Sequence, residues 1–396
     1  MVRNEILWKQ KSRELWLREG DKNSKFFHLS TVIQRKKNHI EAIKNDSGKW
    51  LTSTNDIKSY LTLKFSELYS AQDLSFLENL DNLLQPCITQ EENDLLRRCP
   101  TPEEIKSAIF EINPLKSPGP DGMPGLFFKH YWHIVGDQVI AAVRNFFIHG
   151  QLLGELNQTF IVLIPKIINP SSISHFRPIS LCNVVYKSIA KILVNRLRPL
   201  LHKLISPQQS AFVPNRWIAE NAIVVQELIH TFKKKRNLKV GMVGIKVDLQ
   251  KAYDRVDWNF LMTILKCFGF CEKFSSWIFK CIAFVSYTLL INGSKSKSFH
   301  PSRGLRQGDP LSPYLFIICQ EVLSRLIDRE MHNGAIKGVK ADRAGPPISH
   351  LMHANDLVLF CKAKFSELSA LERCLMTYCE WSGQLVNRDK SGFFCV

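Results

Sequence analysis

The amino-acid sequence predicts an α+β protein in which helices dominate and the clearest strands pair as hairpins. Apolar residues recur with helical spacing in several long segments, among them residues 313–330 and 367–381. Two other segments, residues 287–299 and 348–361, instead have the pattern of β-hairpins. Helices that cover an antiparallel sheet are typical of the α+β class.

Helical patterns account for most of the first 160 residues. Residues 4–43 mix aromatic and basic side chains on a helical period, and residues 53–98 are amphipathic without chemistry that we can assign. Thr101, followed by Pro-Glu-Glu, predicts a capped helix, because Pro suits the first helical position and acids suit the first turn. Residues 127–153 return to the helical period. Between these helices, the Pro and Gly residues of segment 116–122 predict an ordered loop or a linker.

The rest of the chain alternates short strands with helices. The predicted elements are, in order, a strand at 161–165, a helix at 181–205, a basic loop at 233–236, a strand at 241–247 and a short strand around 385–387. In the first hairpin, Asn292-Gly293 is the preferred dipeptide of a type I′ turn.

Basic residues outnumber acidic residues in this chain of 396 residues. The count is 53 Lys and Arg against 36 Asp and Glu, a formal charge of +17. This balance is expected of a protein that binds a polyanion, and nucleic acid is the first candidate. A soluble protein that happens to be basic has the same composition, so charge alone leaves both interpretations open.

Several other classes of protein are disfavoured. The eleven cysteines are odd in number and form no Cys-x-x-Cys pair, which argues against a zinc ribbon or a secreted disulfide framework. The charged first 15 residues show no signal peptide, and no apolar run approaches the roughly 18 residues of a membrane span. We therefore expect an intracellular protein, nuclear or cytoplasmic. The P-loop string and the His-Glu-x-x-His zinc motif are absent from the sequence.

Two aspartates stand where strands are expected to end or turn. Asp248 follows the apolar strand 241–247, and a carboxylate at the end of a buried strand is costly unless a partner neutralises it. A divalent cation is one such partner, although a capping or surface role is the alternative. Asp356 lies in the turn of the second hairpin, where Asn355-Asp356 is also ordinary turn chemistry. If that hairpin pairs beside the Asp248 strand, the two carboxylates face each other as a metal cradle.

Eight short motifs occur in order along the chain. They are Lys116-Ser-Pro-Gly-Pro-Asp-Gly122, Ile164-Pro-Lys166, Phe176-Arg-Pro-Ile-Ser-Leu181, Gln209-Ser-Ala-Phe-Val213, Asp248 to Asp254, Arg303-Gly-Leu-Arg-Gln-Gly-Asp-Pro-Leu-Ser-Pro313, the Asn355-Asp356 hairpin and Asn387-Arg-Asp-Lys-Ser391. In order and spacing this series resembles the reverse transcriptase of plant LINE-type non-LTR retrotransposons. The resemblance runs over nearly the whole chain, and a series of eight is far more specific than any one motif.

The resemblance implies a right-hand polymerase with fingers and palm that copies an RNA template from a DNA primer, using deoxynucleoside triphosphates and Mg²⁺ or Mn²⁺. Residues 1–100 would form a basic helical segment preceding the polymerase. Residues 101–240 would form the fingers and the start of the palm. Residues 241–396 would form the palm, with a small antiparallel sheet and the catalytic hairpin. The resemblance also leads us to expect that the chain lacks the thumb and the upstream endonuclease of family relatives.

The resemblance also assigns roles to residues of the palm. Asp248 and Asp356 correspond to metal-binding catalytic acids. Tyr253 corresponds to the aromatic gate that blocks a ribose 2′-hydroxyl, the group that separates RNA precursors from DNA precursors. A core aromatic is the alternative for Tyr253. Gln307 and Gly308 match the nucleotide pocket, where glycine lets the backbone approach the incoming nucleotide closely.

Three basic residues match further positions of the family. Lys166 and Arg177 correspond to finger residues that neutralise the triphosphate, which suits a point charge plus a planar fork. Lys390 corresponds to a basic residue near the active site that protonates pyrophosphate. For each of these, and for Gln307 and Gly308, an exposed polar residue without a catalytic role is the alternative.

Three positions depart from the family pattern. Asn355 replaces the first of two paired aspartates, and an amide offers one neutral oxygen where a carboxylate offers two oxygens and a full charge. His353 replaces an aromatic residue beside the primer end. Asn215 replaces a glycine, which strains the loop if the position needs a positive φ. We therefore expect an inactive or severely impaired enzyme.

Other classes of function remain open at this level. A non-catalytic remnant would use the same basic surface to hold RNA or hybrid duplex through its phosphates. A group II intron maturase or an RNA-dependent RNA polymerase would share the palm, although Tyr253 favours deoxynucleotide substrates. A product without a function is a further alternative.

Overall fold

A computed structural model describes residues 24–72, 74, 80–234, 241–342 and 345–395. The helices are α1 (Ser24–Asn38), α2 (Thr54–Leu68), α3 (Leu80–Leu83), α4 (Gln90–Leu96), α5 (Pro102–Glu111), α6 (Gly125–His130), α7 (Trp132–His149), α8 (Gly154–Asn157), α9 (Val184–Leu197), α10 (Leu201–Leu204), α11 (Ile218–Lys234), α12 (Ala252–Arg255), α13 (Trp258–Cys267), α14 (Glu272–Ala283), α15 (Ser312–His332) and α16 (Phe365–Ser382). The strands are β1 (Ile43–Lys44), β2 (Trp50–Leu51), β3 (Gln158–Pro165), β4 (Phe176–Cys182), β5 (Met242–Asp248), β6 (Ser286–Ile291), β7 (Ser294–Phe299), β8 (His350–His353), β9 (Asp356–Lys362) and β10 (Gly392–Cys395). The predicted α+β class is confirmed.

The chain divides into two compact units, each assembled from separated stretches of sequence. The first unit holds the described parts of residues 24–68, 100–189 and 284–301, and the second holds those of 69–99, 190–283 and 302–395. The resemblance divides the chain into three regions by their functional role, whereas these two units are defined by contacts within the fold. The two divisions cannot be compared directly, so the three regions stay a prediction. None of the described helices is long and apolar enough to cross a lipid bilayer.

The first unit is organised by a four-stranded sheet of order β4-β3-β6-β7. Strand β3 pairs antiparallel with β4 and parallel with β6, and β6 pairs antiparallel with β7. Successive side chains of a strand point to opposite faces. Ile161 of β3 and its partner Leu289 of β6 are both fully buried, so their face of the sheet forms a core for this unit.

The β6–β7 hairpin turns at the predicted dipeptide. Asn292 and Gly293 have φ angles of 51° and 83°, the two positive values that a type I′ turn requires. The Asn292 side chain also exchanges two hydrogen bonds of 2.9 Å with the backbone of Ile40. This turn prediction is confirmed.

The second unit contains an antiparallel sheet of order β10-β5-β9-β8. Val247 of β5 and its partner Leu357 of β9 are buried on one face, together with Leu359. Helix α16 lies against β9, and α11 lies against β8. The hairpin predicted for residues 348–361 is confirmed as β8 and β9, which are joined by the two residues Ala354 and Asn355.

Several helix predictions are also confirmed. Helix α5 begins at Pro102, and the Thr101 hydroxyl accepts a hydrogen bond of 3.2 Å from the Glu104 N–H as an N-cap. Residues 116–122 form an irregular loop, as their Pro and Gly content predicts. Helix α1 covers part of the helical pattern expected for residues 4–43, of which residues 4–23 lie outside the described part of the chain.

The structure differs from the predicted helix at residues 181–205. Strand β4 extends to Cys182 and α9 begins only at Val184, because residues 176–182 pair with β3 along their whole length. Burial alternates along β4, so the period of two prevails there. Pro178 is tolerated because β4 is an edge strand of its sheet.

Two further predictions, near the ends of other elements, also differ from the structure. The basic loop predicted at 233–236 is partly wrong, because Lys233 and Lys234 complete the last turn of α11, and residues 235 and 236 lie outside the described residues. The short strand predicted around 385–387 is only an isolated bridge between Val386 and Leu249. Strand β10, which the sequence analysis missed, pairs with β5 further along the chain.

Gly304 lies where the segment before α15 crosses the backbone around α12. Its N–H donates to the Val256 carbonyl (2.7 Å), and its own carbonyl accepts from the Trp258 indole N–H (2.8 Å). Gly304 has a φ of 92°, and a Cβ there would lie 2.6 Å from the Asp254 carbonyl oxygen. Only glycine fits both the backbone angle and the space.

We expect Gly304→Ala to destabilise the second unit strongly, through backbone strain and through this clash. Gly334→Ala is the matched control, because Gly334 has a φ of 76° but nothing within 4 Å of an added Cβ. The control should lose about 1–2 kcal/mol from strain alone, and Gly304→Ala about 1–3 kcal/mol more. Urea denaturation of both variants measures the difference, and equal losses would contradict the packing argument.

Candidate active site

Asp248 and Asp356 lie directly opposite each other at the end of the second unit's sheet. Asp248 is the last residue of β5, Asp356 is the first residue of β9, and the two are register partners in the antiparallel pair. Opposite residues of an antiparallel pair share one face, with Cβ atoms about 4.5–5.5 Å apart. The predicted pairing of the hairpin beside the Asp248 strand is confirmed, and it brings two carboxylates together.

Asp248 is held by the segment that leads into β10. The Asn387 side-chain amide donates to Asp248 Oδ2 (3.0 Å), and the Asn387 N–H donates to the Asp248 carbonyl (2.8 Å). The Asp248 N–H donates to Ser391 Oγ (3.1 Å). Lys390, which is exposed, lies in the same turn, and its N–H bonds the Asn387 carbonyl (3.3 Å). Sequence reasoning assigned a role only to Lys390 in this motif and missed its two anchoring neighbours.

Asn355 and Ala354 form the two-residue turn that precedes Asp356. His353 pairs with Asp356 across the turn, and its Nδ1 lies 3.2 Å from Ser210 Oγ. Asn355 is half-buried and directly precedes the exposed Asp356. The position that corresponds to the first of the family's two adjacent aspartates therefore lies next to Asp356, and here it supplies an amide.

The donor set at this sheet end fits a divalent cation of the oxygen-preferring kind. Mg²⁺ is bound in proteins by one or two carboxylates plus substrate phosphates, and Asp248 with Asp356 supply two. Among the described residues, no group of three or more His, Cys, Asp or Glu side chains could hold a metal ion. At this sheet end the described residues include the paired Asp248 and Asp356, with the amide of Asn355 directly before Asp356.

Tyr253 is fixed by aromatic stacking in α12. Its ring stacks on Phe316 of α15 with centroids 4.6 Å apart and planes at 15°. Burial raises the pKa of the Tyr253 hydroxyl to about 12, so the phenol stays protonated at neutral pH. The Leu305 N–H donates to the Tyr253 carbonyl (2.7 Å), which ties this residue to the loop that contains Gln307.

Gln307 is held by a buried carboxylate that the sequence analysis did not single out. Its Nε2 lies 3.1 and 3.2 Å from the two carboxylate oxygens of Asp254, which is 0% exposed. The Tyr69 hydroxyl donates to the same carboxylate (2.8 Å). Asp254 could have been noticed in the sequence, because it is an acidic residue within the motif that begins at Asp248. Gly308, the next residue, has a φ of 115°, an angle that glycine alone adopts readily.

Lys166 and Arg177 belong to the first unit. Arg177 of β4 is the register partner of Ile164, and Lys166 follows two residues later. Side chains two residues apart on a strand share a face, so the two exposed cations lie at one end of the β3–β4 pair. Lys166 Nζ donates to the Ser174 carbonyl (3.1 Å). The structure therefore brings these two predicted residues close to each other.

Asn215 adopts the positive φ that the sequence analysis considered. Its φ is 62°, and asparagine tolerates this left-handed region better than most residues with a Cβ. Arg216 stabilises the same loop, because its guanidinium donates to three backbone carbonyls, those of Ile205, Ser206 and Gln209. The replacement of glycine is accommodated here by a residue type suited to the conformation.

His350 of β8 is buried beside α15. Its Nε2 lies 2.5 Å from Ser324 Oγ and its Nδ1 lies 2.8 Å from Ser349 Oγ. Burial lowers the pKa of the imidazole to about 3. The ring is therefore neutral in the folded protein, and it helps to fix the strand that leads into the turn.

These features define a class of protein. The family model for reverse transcriptase (RNA-dependent DNA polymerase) matches residues 164–395, more than half of the chain, and the match includes Asp248 and Asp356. The chain belongs to this family.

Two relatives among known proteins carry names related to mobile elements. The chain is 26% identical over 383 residues to the Transposon TX1 uncharacterized 149 kDa protein of Xenopus laevis, which covers 96% of this chain and 28% of that protein. It is 26% identical over 343 residues to the Retrovirus-related Pol polyprotein from type-2 retrotransposable element R2DM of Drosophila melanogaster, which covers 84% and 31% respectively. The chain thus spans less than a third of these two relatives.

A third relative is more similar over a shorter stretch. The uncharacterized mitochondrial protein AtMg01250 of Arabidopsis thaliana is 52% identical over 67 residues, which is 17% of this chain and 55% of that protein.

We expect the buried neutral His350 to make the protein less stable as pH falls. The unfolded chain takes up a proton on this imidazole near pH 6.5, and the folded chain does so only near pH 3. Protonation therefore favours the unfolded state below pH 6.5, by about 2 kcal/mol at pH 5. His350→Gln should remove this part of the pH dependence in urea denaturation between about pH 5 and 7. His332→Gln, at an exposed position, should retain it, and identical pH profiles for the two variants would contradict the assignment.

Proposed function

We propose that this chain is the reverse transcriptase domain of a non-LTR retrotransposon protein of the LINE type, the kind of domain that copies RNA into DNA. The observation that carries the proposal is the register pairing of Asp248 with Asp356 on one face of an antiparallel sheet. Family membership and the names of the relatives support the element type. The similarity to the Arabidopsis protein over 67 residues supports an element of the plant type that the motifs resemble.

Asp248 and Asp356 would hold Mg²⁺ or Mn²⁺ in this proposal. Bound there, such ions would activate the primer hydroxyl for attack and would neutralise the negative charge that develops on the phosphoryl group. Asn387 keeps Asp248 in one orientation by bonding one of its two carboxylate oxygens, which leaves the other for a ligand. A half-buried amide at Asn355 adds one neutral oxygen at most. We infer a cation affinity below that of a site with three carboxylates.

Selection of the nucleotide is proposed to depend on Tyr253, Gln307 and Gly308. A ring held rigidly by Phe316 can exclude a 2′-hydroxyl sterically, and a protonated phenol adds no charge beside a sugar. Asp254 fixes the orientation of the Gln307 amide, because both of its carboxylate oxygens accept hydrogen bonds from Gln307 Nε2. The backbone at Gly308 carries no Cβ that would hinder an incoming nucleotide.

The phosphate groups of the proposed substrates are negatively charged and would be bound by basic side chains. We propose that Lys166 and Arg177 bind the triphosphate and that Lys390 supplies a proton to the departing pyrophosphate. A formal charge of +17 supports an RNA template and a DNA primer as partners, because phosphate contacts release counterions and dominate affinity for nucleic acid. An intracellular location is part of the same proposal.

A second candidate is favoured by one observation, the amide at Asn355. A chain that retains the fold and its positive charge but binds cations weakly would hold RNA or hybrid duplex without extending the primer. Loss of one preorganised electrostatic contact typically lowers turnover by about 10²–10³. We therefore propose that the natural chain is inactive or severely impaired as a polymerase.

Asn355→Asp is expected to raise primer extension on an RNA template by at least about 10² with Mg²⁺, because it restores a charged ligand beside Asp356. Single-turnover extension of a labelled primer measures the rate for both chains. The double variant Asn355→Asp with Asp248→Asn is the control and should lose the gain. Robust extension by the natural chain would contradict the proposed impairment. Salt-sensitive binding without extension in either chain would favour the second candidate.

Tyr253→Val is expected to relax sugar discrimination, since it removes the ring without introducing a polar group. In the Asn355→Asp background, the ratio of kcat/KM for deoxynucleotides to that for ribonucleotides should fall by about 10-fold or more, equivalent to about 1.4 kcal/mol of discrimination. Tyr314→Phe, an aromatic change elsewhere in the same unit, serves as the control and should leave the ratio unchanged. An unaltered ratio in Tyr253→Val would indicate that Tyr253 has only a packing role.

A further inference from the structure

The turn between β8 and β9 holds an alanine in a conformation that residues with a Cβ rarely adopt. Ala354 has a φ of 50°, in the left-handed region where the Cβ approaches the following carbonyl. Such strain persists only where the surrounding structure determines the conformation strongly. Asn355 and Asp356 follow at once, so the backbone of Ala354 sets the position of both side chains.

Gln209 contacts this turn through its side-chain carboxamide. Its Oε1 accepts hydrogen bonds from the Ala354 N–H and from the Ala211 N–H, both at 3.0 Å. Its Nε2 donates to Gln320 Oε1 of α15, also at 3.0 Å. Gln209 is 2% exposed and Gln320 is 0% exposed, so solvent does not compete for these bonds. The carboxamide is thereby fixed in one orientation with its oxygen on the turn.

The backbone around Gln209 is itself attached to the outer edge of β8. The Ser210 N–H donates to the Met352 carbonyl (3.0 Å), and the Met352 N–H donates to the Gln208 carbonyl (2.9 Å). The Asn221 side-chain amide donates to both of these carbonyls at 2.8 Å. The side-chain oxygen of Gln209 therefore has a fixed place relative to the hairpin.

We propose that Gln209 is a positioning residue for the metal-binding end of the sheet. It bonds the strained turn at Ala354 and would thereby keep Asp356 opposite Asp248, where the two carboxylates would hold a divalent cation. The inference rests on the proposed function, because it assigns Gln209 a purpose only if these two carboxylates bind a divalent ion. Gln209 acts through the turn backbone and touches no substrate.

Three substitutions separate this role from general packing. Gln209→Met removes the acceptor at nearly the same volume, and Gln209→Asn keeps the amide but withdraws its oxygen by one methylene. Gln209→Glu keeps an acceptor oxygen for the turn. Gln208→Met is the matched control at the adjacent glutamine, whose Oε1 is buried without a hydrogen-bond partner among the described residues.

The test measures Mn²⁺ binding to the natural chain by electron paramagnetic resonance, together with amide hydrogen exchange in the 350–362 hairpin. Gln209→Met and Gln209→Asn should weaken Mn²⁺ binding by about 10- to 100-fold, the range expected when a group that orients a metal ligand is lost. Both should also accelerate exchange at the turn. Gln209→Glu should restore affinity to within a few-fold, and Gln208→Met should change neither quantity.

Asp248→Asn identifies which hypothesis fails. If Asp248→Asn weakens Mn²⁺ binding but Gln209→Met and Gln209→Asn do not, the proposed metal site stands and the positioning role is overturned. Faster exchange in those variants at unchanged affinity likewise overturns it, because Gln209 would then be only structural. If Asp248→Asn itself has no effect, the proposed function fails at this site, and the positioning role fails with it. Gln209→Asn retains a polar core and provides the answer if Gln209→Met does not fold.

Discussion

The candidate site depends on the antiparallel register between β5 and β9. A slip of one residue would move every side chain of β9 to the other face of the sheet. Such a slip is opposed by Leu357 and Leu359, which are fully buried on the face away from Asp356. The same packing that forms the core of the second unit therefore places Asp356 opposite Asp248. Geometry at the sheet end follows from burial of apolar side chains elsewhere on the strand.

Three buried or half-buried polar groups then fix the details of this sheet end and its neighbourhood. Asn387 orients the Asp248 carboxylate, Gln209 bonds the turn before Asp356, and Asp254 bonds the Gln307 amide. Hydrogen bonds of this kind are strong in a low-dielectric interior, and satisfied networks make a site rigid. Each of the three groups has a proposed role only through the neighbouring residue or turn that it bonds, and none is proposed to contact a substrate. A layer of supporting residues thus remains intact in this chain.

Asn355 lies in the turn beside the two paired aspartates but carries no charge. The strands, the turn and the hydrogen bonds of Asn387 and Gln209 place Asp248 opposite Asp356, whereas position 355 carries an uncharged amide. In the proposed function, this neutral amide would weaken cation binding while the chain keeps its fold and its positive charge. Retained folding and lost activity are compatible outcomes for a chain of this composition.

The sequence alone determined the fold class, both hairpins, the capped helix after Thr101 and the family, because these depend on local periodicity, turn chemistry and ordered motifs. It also indicated Asp248, Asp356 and the departure at Asn355. It misplaced the start of α9, because pairing with the neighbouring strand β3 outweighs local helical preference at residues 181 and 182. It missed β10, because the partner of that strand, β5, lies far away in the sequence. The register of β5 with β9 and the contacts of Gln209, Asp254 and Asn387 were decided only by the tertiary structure. Those partners are separated by 50 to 150 residues, as in the Gln209–Ala354 pair at 145, and no local pattern encodes such a distance.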